Sequence, residues 1–288
     1  MHMKKMIIFS ILFALLLAGC VPQNAAQIVT TTLPVYEFSA ALCEGTGIKV
    51  SRLITENVSC LHDYTVQVNQ MRAVESAEAV IINGAGLEEF LEDVLAGAMY
   101  VIDASEGAVL SGGHNHKEDS HHHEHDPHIW LSPEKATEMC KNIASKLSAL
   151  YPQHAETFSN NLDTLLKKLD VLQAYGEHAL NNLSCRNLIT FHDGFTYFAE
   201  SFDLHVLEAV EEESGSEASA KELIELIGLV NDNHLPAVFT EVNGSTAAAE
   251  IIAKETGVKI YTLDMAMAGD SYFTAMYHNI NTVKEALE

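Results

Sequence analysis

The sequence predicts an α/β protein of two lobes, each a four-stranded, largely parallel sheet flanked by helices, with one long rigid helix joining them. Three observations lead there. Short β-branched runs alternate with amphipathic stretches through the first half, the same rhythm returns in the second, and an unbroken helical pattern over 153–183 separates the two. A mature chain of about 270 residues also exceeds what a single hydrophobic core usually serves, so two lobes are the natural expectation.

The chain opens with Lys4 and Lys5 ahead of an apolar run over 6–18, too short to span a bilayer and of the length of a signal-peptide core. Leu17-Ala18-Gly19-Cys20 at its end has the form of a bacterial lipoprotein cleavage box. Residues 1–19 are then a leader, and acylated Cys20 anchors the protein to a membrane.

The first lobe, 20–152, draws its strands from "QIVTTTL" (27–33), "IKVSRLI" (48–54), "EAVIING" (78–84) and "MYVIDAS" (99–105), with helices expected over 34–44, 64–76 and 87–97. The regular strand-helix succession is what gives parallel pairing. Residues 111–126 break the pattern. They are rich in Gly, His and acids and hold no apolar residue, so this segment reads as a disordered loop. In the linker helix, apolar residues recur every three or four positions at Phe158, Leu162, Leu165, Leu166, Leu169, Leu172, Tyr175, Ala179 and Leu180. That stripe is wider than a coiled-coil seam, and a monomer is expected. A single helix between lobes restricts hinge motion. The second lobe, 184–288, supplies "RNLITF" (186–191), "LHVLEAV" (204–210), "PAVFTE" (236–241) and "VKIYTL" (258–263).

Charge excludes some partners. The net charge of −24 becomes −26 when the leader removes two lysines and no acid, so nucleic acid and anionic lipid are poor partners while cations are attracted. Beyond Cys20, the chain holds Cys43, Cys60, Cys140 and Cys185, without C-x-x-C spacing. Two disulfides and three pairings are open; Cys43 with Cys60 is preferred because both lie in the first lobe.

Strand ends of parallel sheets deliver residues to the ligand crevice. His62 follows the second strand, His128 the fourth strand and its loop, His192 the fifth, and Asp264 ends the eighth. Three imidazoles and one carboxylate suit a tetrahedral Zn²⁺ site. Seven histidines fall within 111–133. Of these His128, in "DPHIW", is expected in the defined site. His114, His116, His121, His122, His123 and His125 belong to the loose tract as weak, exchangeable metal contacts, since ordering them costs about 1–2 kcal/mol of backbone entropy per residue.

"CLHDYTVQ", "DPHIWLSPEKA", "FHDGFTYFAESFDL" and "YTLDMAMAGDSYFTAMYHNINTVKEAL" resemble the ligand segments of the metal-binding solute-binding proteins of ABC transporters, of the zinc-uptake type, ZnuA. The resemblance covers nearly the whole mature chain, with DPH-x-W-L its most specific element. It implies His62, His128, His192 and Asp264 as metal ligands, Zn²⁺ as cargo, and an ABC permease as partner. Three positions depart from the family pattern: Leu61 stands where proline usually precedes the first histidine, Ser132 replaces an aspartate, and Ala218 replaces a proline. Manganese-type relatives carry a carboxylate at the position of His192, and imidazole-rich sites suit zinc, so Mn²⁺ or iron is the lesser alternative.

Two other readings stand beside this one. A surface adhesin can share the fold. A zinc hydrolase would use three histidines with an open position, and Glu241 after the seventh strand as base. "HEHDPH" imitates the H-x-H-x-D-H metallohydrolase run, but Pro127 stands where the aspartate is required, and no H-E-x-x-H occurs. The sequence therefore favours binding without catalysis.

Overall fold

The computed structural model describes residues 26–56, 61, 64–111, 125–210 and 218–288. Cys20, Cys60, His62, His114, His116, His121, His122 and His123 lie outside them. The first sheet holds β1 (Ile28–Thr30), β2 (Val50–Arg52), β3 (Ala79–Ile82) and β4 (Val101–Asp103) in the order β2-β1-β3-β4. The second holds β5 (Asn187–Thr190), β6 (His205–Ala209), β7 (Ala237–Glu241) and β8 (Lys259–Leu263) in the corresponding order β6-β5-β7-β8. Every pairing is parallel. The expected fold class holds, with strands of three to five residues in place of the longer runs read from the sequence.

Each sheet reverses its strand order beside its first strand, between β1 and β3 and between β5 and β7, and such switch points open a crevice at the carboxyl ends of the strands. The two crevices face one another. Leu33 N, just past β1, donates to Met267 O, just past β8 (3.4 Å), and Arg52 Nη1, at the end of β2, donates to Gly269 O (3.1 Å).

The helices have local causes. Pro34 sits in the first turn of α1 (Leu33–Cys43), where its missing N–H is harmless. Gln67 and Gln70 form a reciprocal cap on α2 (Val68–Ser76), and α3 (Glu92–Leu95) is a single turn. Ser132 caps α4 (Pro133–Leu150) by accepting from Lys135 N. The departure at Ser132 is thus a helix cap. The linker, α5 (Ala155–Ala179), has 25 residues and so a length of about 37 Å. It is shorter than the periodicity suggested at both ends: Pro152–His154 forms a separate 3-10 turn before it, and the helix stops at Ala179 with Leu180 as its cap. Then come α6 (Thr196–Ser201), α7 (Ala220–Asp232), α8 (Ala247–Thr256) and α9 (Tyr272–Leu287). Ser219 and Glu222 make a capping box on α7, and Gly257, at φ 81°, ends α8 in the left-handed conformation that glycine adopts without penalty.

Phe158, Leu165, Leu169 and Leu172 of the expected stripe are buried, and α5 packs on α1, α4 and α9. One hydrophobic cluster runs from Ile28 and Phe38 through Trp130 and Leu169 to Phe198, Phe239 and Tyr272, so both lobes share it. A smaller cluster around Ile189, Val238 and Ile252 belongs to the second lobe. Among the described residues no helix is long and apolar enough to cross a membrane. Cys43, Cys140 and Cys185 carry free thiols; the preferred partner of Cys43, Cys60, lies outside the described residues.

Candidate metal centre

The segment leading to His128 is built as a rigid turn. Asp126 Oδ1 accepts from the backbone N of His128 at 2.8 Å and meets its ring Nδ1 at 2.8 Å, while Asn83 Nδ2, just past β3, donates to Pro127 O at 3.1 Å. A 3-10 turn, Ile129–Leu131, follows and buries Trp130 completely. Trp130 Nε1 donates to Met265 O (2.7 Å), and Tyr272 OH donates to Trp130 O (2.8 Å). First-lobe and second-lobe residues thereby hold the turn from both sides.

His192 stands just past β5, where the Thr190 hydroxyl donates to its carbonyl at 3.0 Å. Its ring meets that of His128 edge to face, with centroids 5.1 Å apart and the two Nε2 atoms separated by 3.4 Å. Both side chains are buried. Gly194 makes this approach possible: a Cβ there would lie 2.8 Å from His192 Cδ2 and 2.9 Å from His128 Nδ1. Two nitrogens on a tetrahedral zinc at 2.0–2.1 Å are about 3.3–3.4 Å apart, so the observed separation is that of one tetrahedral edge. On its far side His192 Nδ1 lies 3.4 Å from Glu241 Oε2 at the end of β7. Each imidazole is thus backed by a buried carboxylate of its own lobe.

The other expected ligands are placed differently. His62 is outside the described residues, between buried Leu61 and half-buried Tyr64. Asp264 follows β8 as expected, but its Oδ1 accepts from Ala266 N (2.8 Å), while Asn279, fully buried, bonds both its N–H and its carbonyl at 2.7 Å. Among the described residues no three His, Cys, Asp or Glu side chains are gathered into a metal cage. Among the described residues the structure pairs His128 with His192, while Asp264, just past β8, is not gathered with them.

The segment 111–126 is tighter at its ends than its composition predicts. Asp126 is buried, its N–H donates to Ser111 O (3.2 Å), and the Tyr197 hydroxyl, from α6, accepts from Ser111 N (2.9 Å) and donates to Asp126 O (3.0 Å). Burial pushes the Tyr197 phenol up to about 12, so it remains a donor at neutral pH. His125 is exposed, as expected for the tract. Asp126 and Tyr197 were not picked out by the sequence reading, although both lie inside its quoted segments. Glu241 entered it only as a conceivable base, yet the structure sets it behind His192, away from the side where the Nε2 atoms converge.

Comparison with known proteins identifies the fold and the family. A family model described as ZnuA, zinc-uptake complex component A periplasmic, matches residues 28–286. The chain is 30% identical over 313 aligned residues to the zinc-binding lipoprotein AdcA of Streptococcus pneumoniae serotype 4, covering 99% of this chain and 62% of that protein. It therefore spans less than two thirds of that curated relative. Among solved structures, a crystal structure of ZnuA superposes with a TM-score of 0.80 at 29% identity, over 91% of this chain and 100% of the other. A zinc-bound deletion mutant of ZnuA does so with a TM-score of 0.79 at 28% identity, over 91% and 98% of the two chains.

Proposed function

The chain belongs to the zinc-uptake complex component A family, and from that premise we propose that it captures Zn²⁺ between its lobes outside the cytoplasm and hands it to the permease of an ABC importer. The observation that supports this best is the buried His128–His192 pair, with its 3.4 Å Nε2 separation at the meeting point of two switch-point crevices. His62 and Asp264 complete the proposed ligand set, with imidazole nitrogens favouring zinc over Mn²⁺. The ion is cargo. The protein binds and releases it, and catalyses nothing.

The rest of the arrangement follows from the family and the sequence. The AdcA relative is named a lipoprotein; here Cys20 is the proposed lipid anchor, and the mature protein works as a membrane-tethered monomer of two lobes. His114, His116, His121, His122, His123 and His125 act as weak auxiliary contacts, outside the tight site. Loading needs the imidazoles neutral and stabilises the folded state by mass action.

Elemental analysis and zinc titration of the wild type, of His128→Ala and of a variant lacking 112–124 test this assignment. Expected are one tightly held zinc in the wild type and the loop deletion, and its loss in His128→Ala. Tight zinc retained by His128→Ala and lost with the loop would reverse it. Zinc-dependent growth of cells lacking the gene, restored by wild type and not by His128→Ala, tests delivery.

A further inference from the structure

We infer that Glu241 is a positioning residue for His192, the second-lobe counterpart of Asp126 behind His128. An imidazole offers metal the nitrogen that carries no proton, and which one that is depends on the hydrogen bond made by the other. At His128, Nδ1 faces Asp126 Oδ1 at 2.8 Å; at His192, Nδ1 faces Glu241 Oε2 at 3.4 Å. Both carboxylates are buried, and both rings direct Nε2 toward the same point. With the proton of His192 held on Nδ1, its Nε2 presents a lone pair to the metal.

The surroundings of Glu241 fix it in this role. It is the last residue of β7, a strand buried at all five positions, and its backbone is in register with Leu263, the residue before Asp264. The following turn closes over its side chain. Gly244 N donates to Glu241 O at 3.1 Å, and a Cβ on Gly244 would come within 2.6 Å of Glu241 Cγ and 3.1 Å of Oε1. Only glycine leaves the carboxylate where it stands. A metal-bound imidazole is a stronger Nδ1–H donor than a free one, so the contact tightens as zinc loads, and carboxylates placed this way raise ligand basicity.

This inference rests on the zinc-binding reading above, and the experiment separates the two. Zinc affinity is measured by competition with a chromophoric chelator for full-length wild type, Glu241→Ala, Glu241→Gln and His192→Ala, with the ring-nitrogen resonances of His192 recorded in the zinc-free proteins. Glu241→Ala should weaken zinc about 10–100-fold and release the Nδ1–H preference of His192. Glu241→Gln, whose carbonyl oxygen can accept from Nδ1, should recover most of both, a rescue that a merely packing role would not produce. His192→Ala should lose more than either. If Glu241→Ala binds zinc within twofold of wild type while His192→Ala does not, the inference is overturned and the metal site stands. If His192→Ala also binds like wild type, the site itself is wrong. Should Glu241→Ala not fold, Gly244→Ala carries the test: displacing the carboxylate must weaken zinc, and unchanged affinity overturns the inference.

Discussion

Raising the pH from about 4.5 to about 7 should destabilise the zinc-free protein through one carboxyl, that of Glu88. This side chain is 3% exposed and accepts three hydrogen bonds: from the Thr31 hydroxyl (2.6 Å) and Asn83 N (2.8 Å) on Oε1, and from Gly84 N (3.0 Å) on Oε2. It ties the end of β1 to the end of β3, directly behind the asparagine that holds Pro127. Burial pushes its pKa from 4.5 up to about 7, with nearby Asp103 adding to the rise and the three donors opposing it. Between those two values the folded state holds more protons than the unfolded one, so stability must fall as pH rises. The contribution is fully present below about 4.5 and gone above about 7. A difference of about 2.5 units at 1.36 kcal/mol each gives about 3 kcal/mol. Urea unfolding of wild type and Glu88→Gln at steps from pH 4.5 to 8 reads this directly, because the other acids cancel in the difference. Wild type should lose about 3 kcal/mol relative to the glutamine variant across the window. A flat difference would mean that the three donors fully offset burial, and would refute the reasoning.

Three further outcomes are expected. Asp126→Ala strands two buried N–H groups of His128, so the zinc-free protein should lose about 1–3 kcal/mol in urea unfolding and zinc affinity should fall about 10–100-fold by chelator competition. Trp130, the single tryptophan, packs edge-on against His128 at 5.2 Å, and its fluorescence should therefore change at one zinc equivalent in wild type and stay unchanged in His128→Ala. Gly176→Ala would place a Cβ 2.2 Å from Phe202 Cε1; a small gain in helix propensity cannot offset that overlap, and stability should drop about 1–3 kcal/mol in thermal unfolding with zinc affinity unchanged.

The strands, their parallel pairing and the linker helix were legible because each announces itself within a few consecutive residues: β-branched runs for β1 to β8, a repeat of three and four for α5. His128 and His192 were legible as residues placed just past strands. What periodicity cannot show is which distant surface covers an element. Nothing in the stripe of α5 tells that Phe158 and Tyr272 belong to one cluster, so the sequence suggested two separate interiors. The same limit hid Glu241 and Tyr197, whose roles depend on partners 49 and 71 residues away; a carboxylate ending a largely apolar strand was a local sign for the first. Composition misled at Asp126, since a polar run does not reveal that its last acid turns inward to meet a histidine two positions on.

The apolar interior that continues from one lobe into the other also governs how the molecule comes apart. The larger cluster draws on both halves and only the smaller one, around Ile189 and Val238, belongs to a single lobe, so a single heat-absorption peak is expected in calorimetry, and chains cut before or after α5 should aggregate when expressed alone. Parting the lobes would expose that shared interior to water, so the frame should yield as a unit when the protein melts.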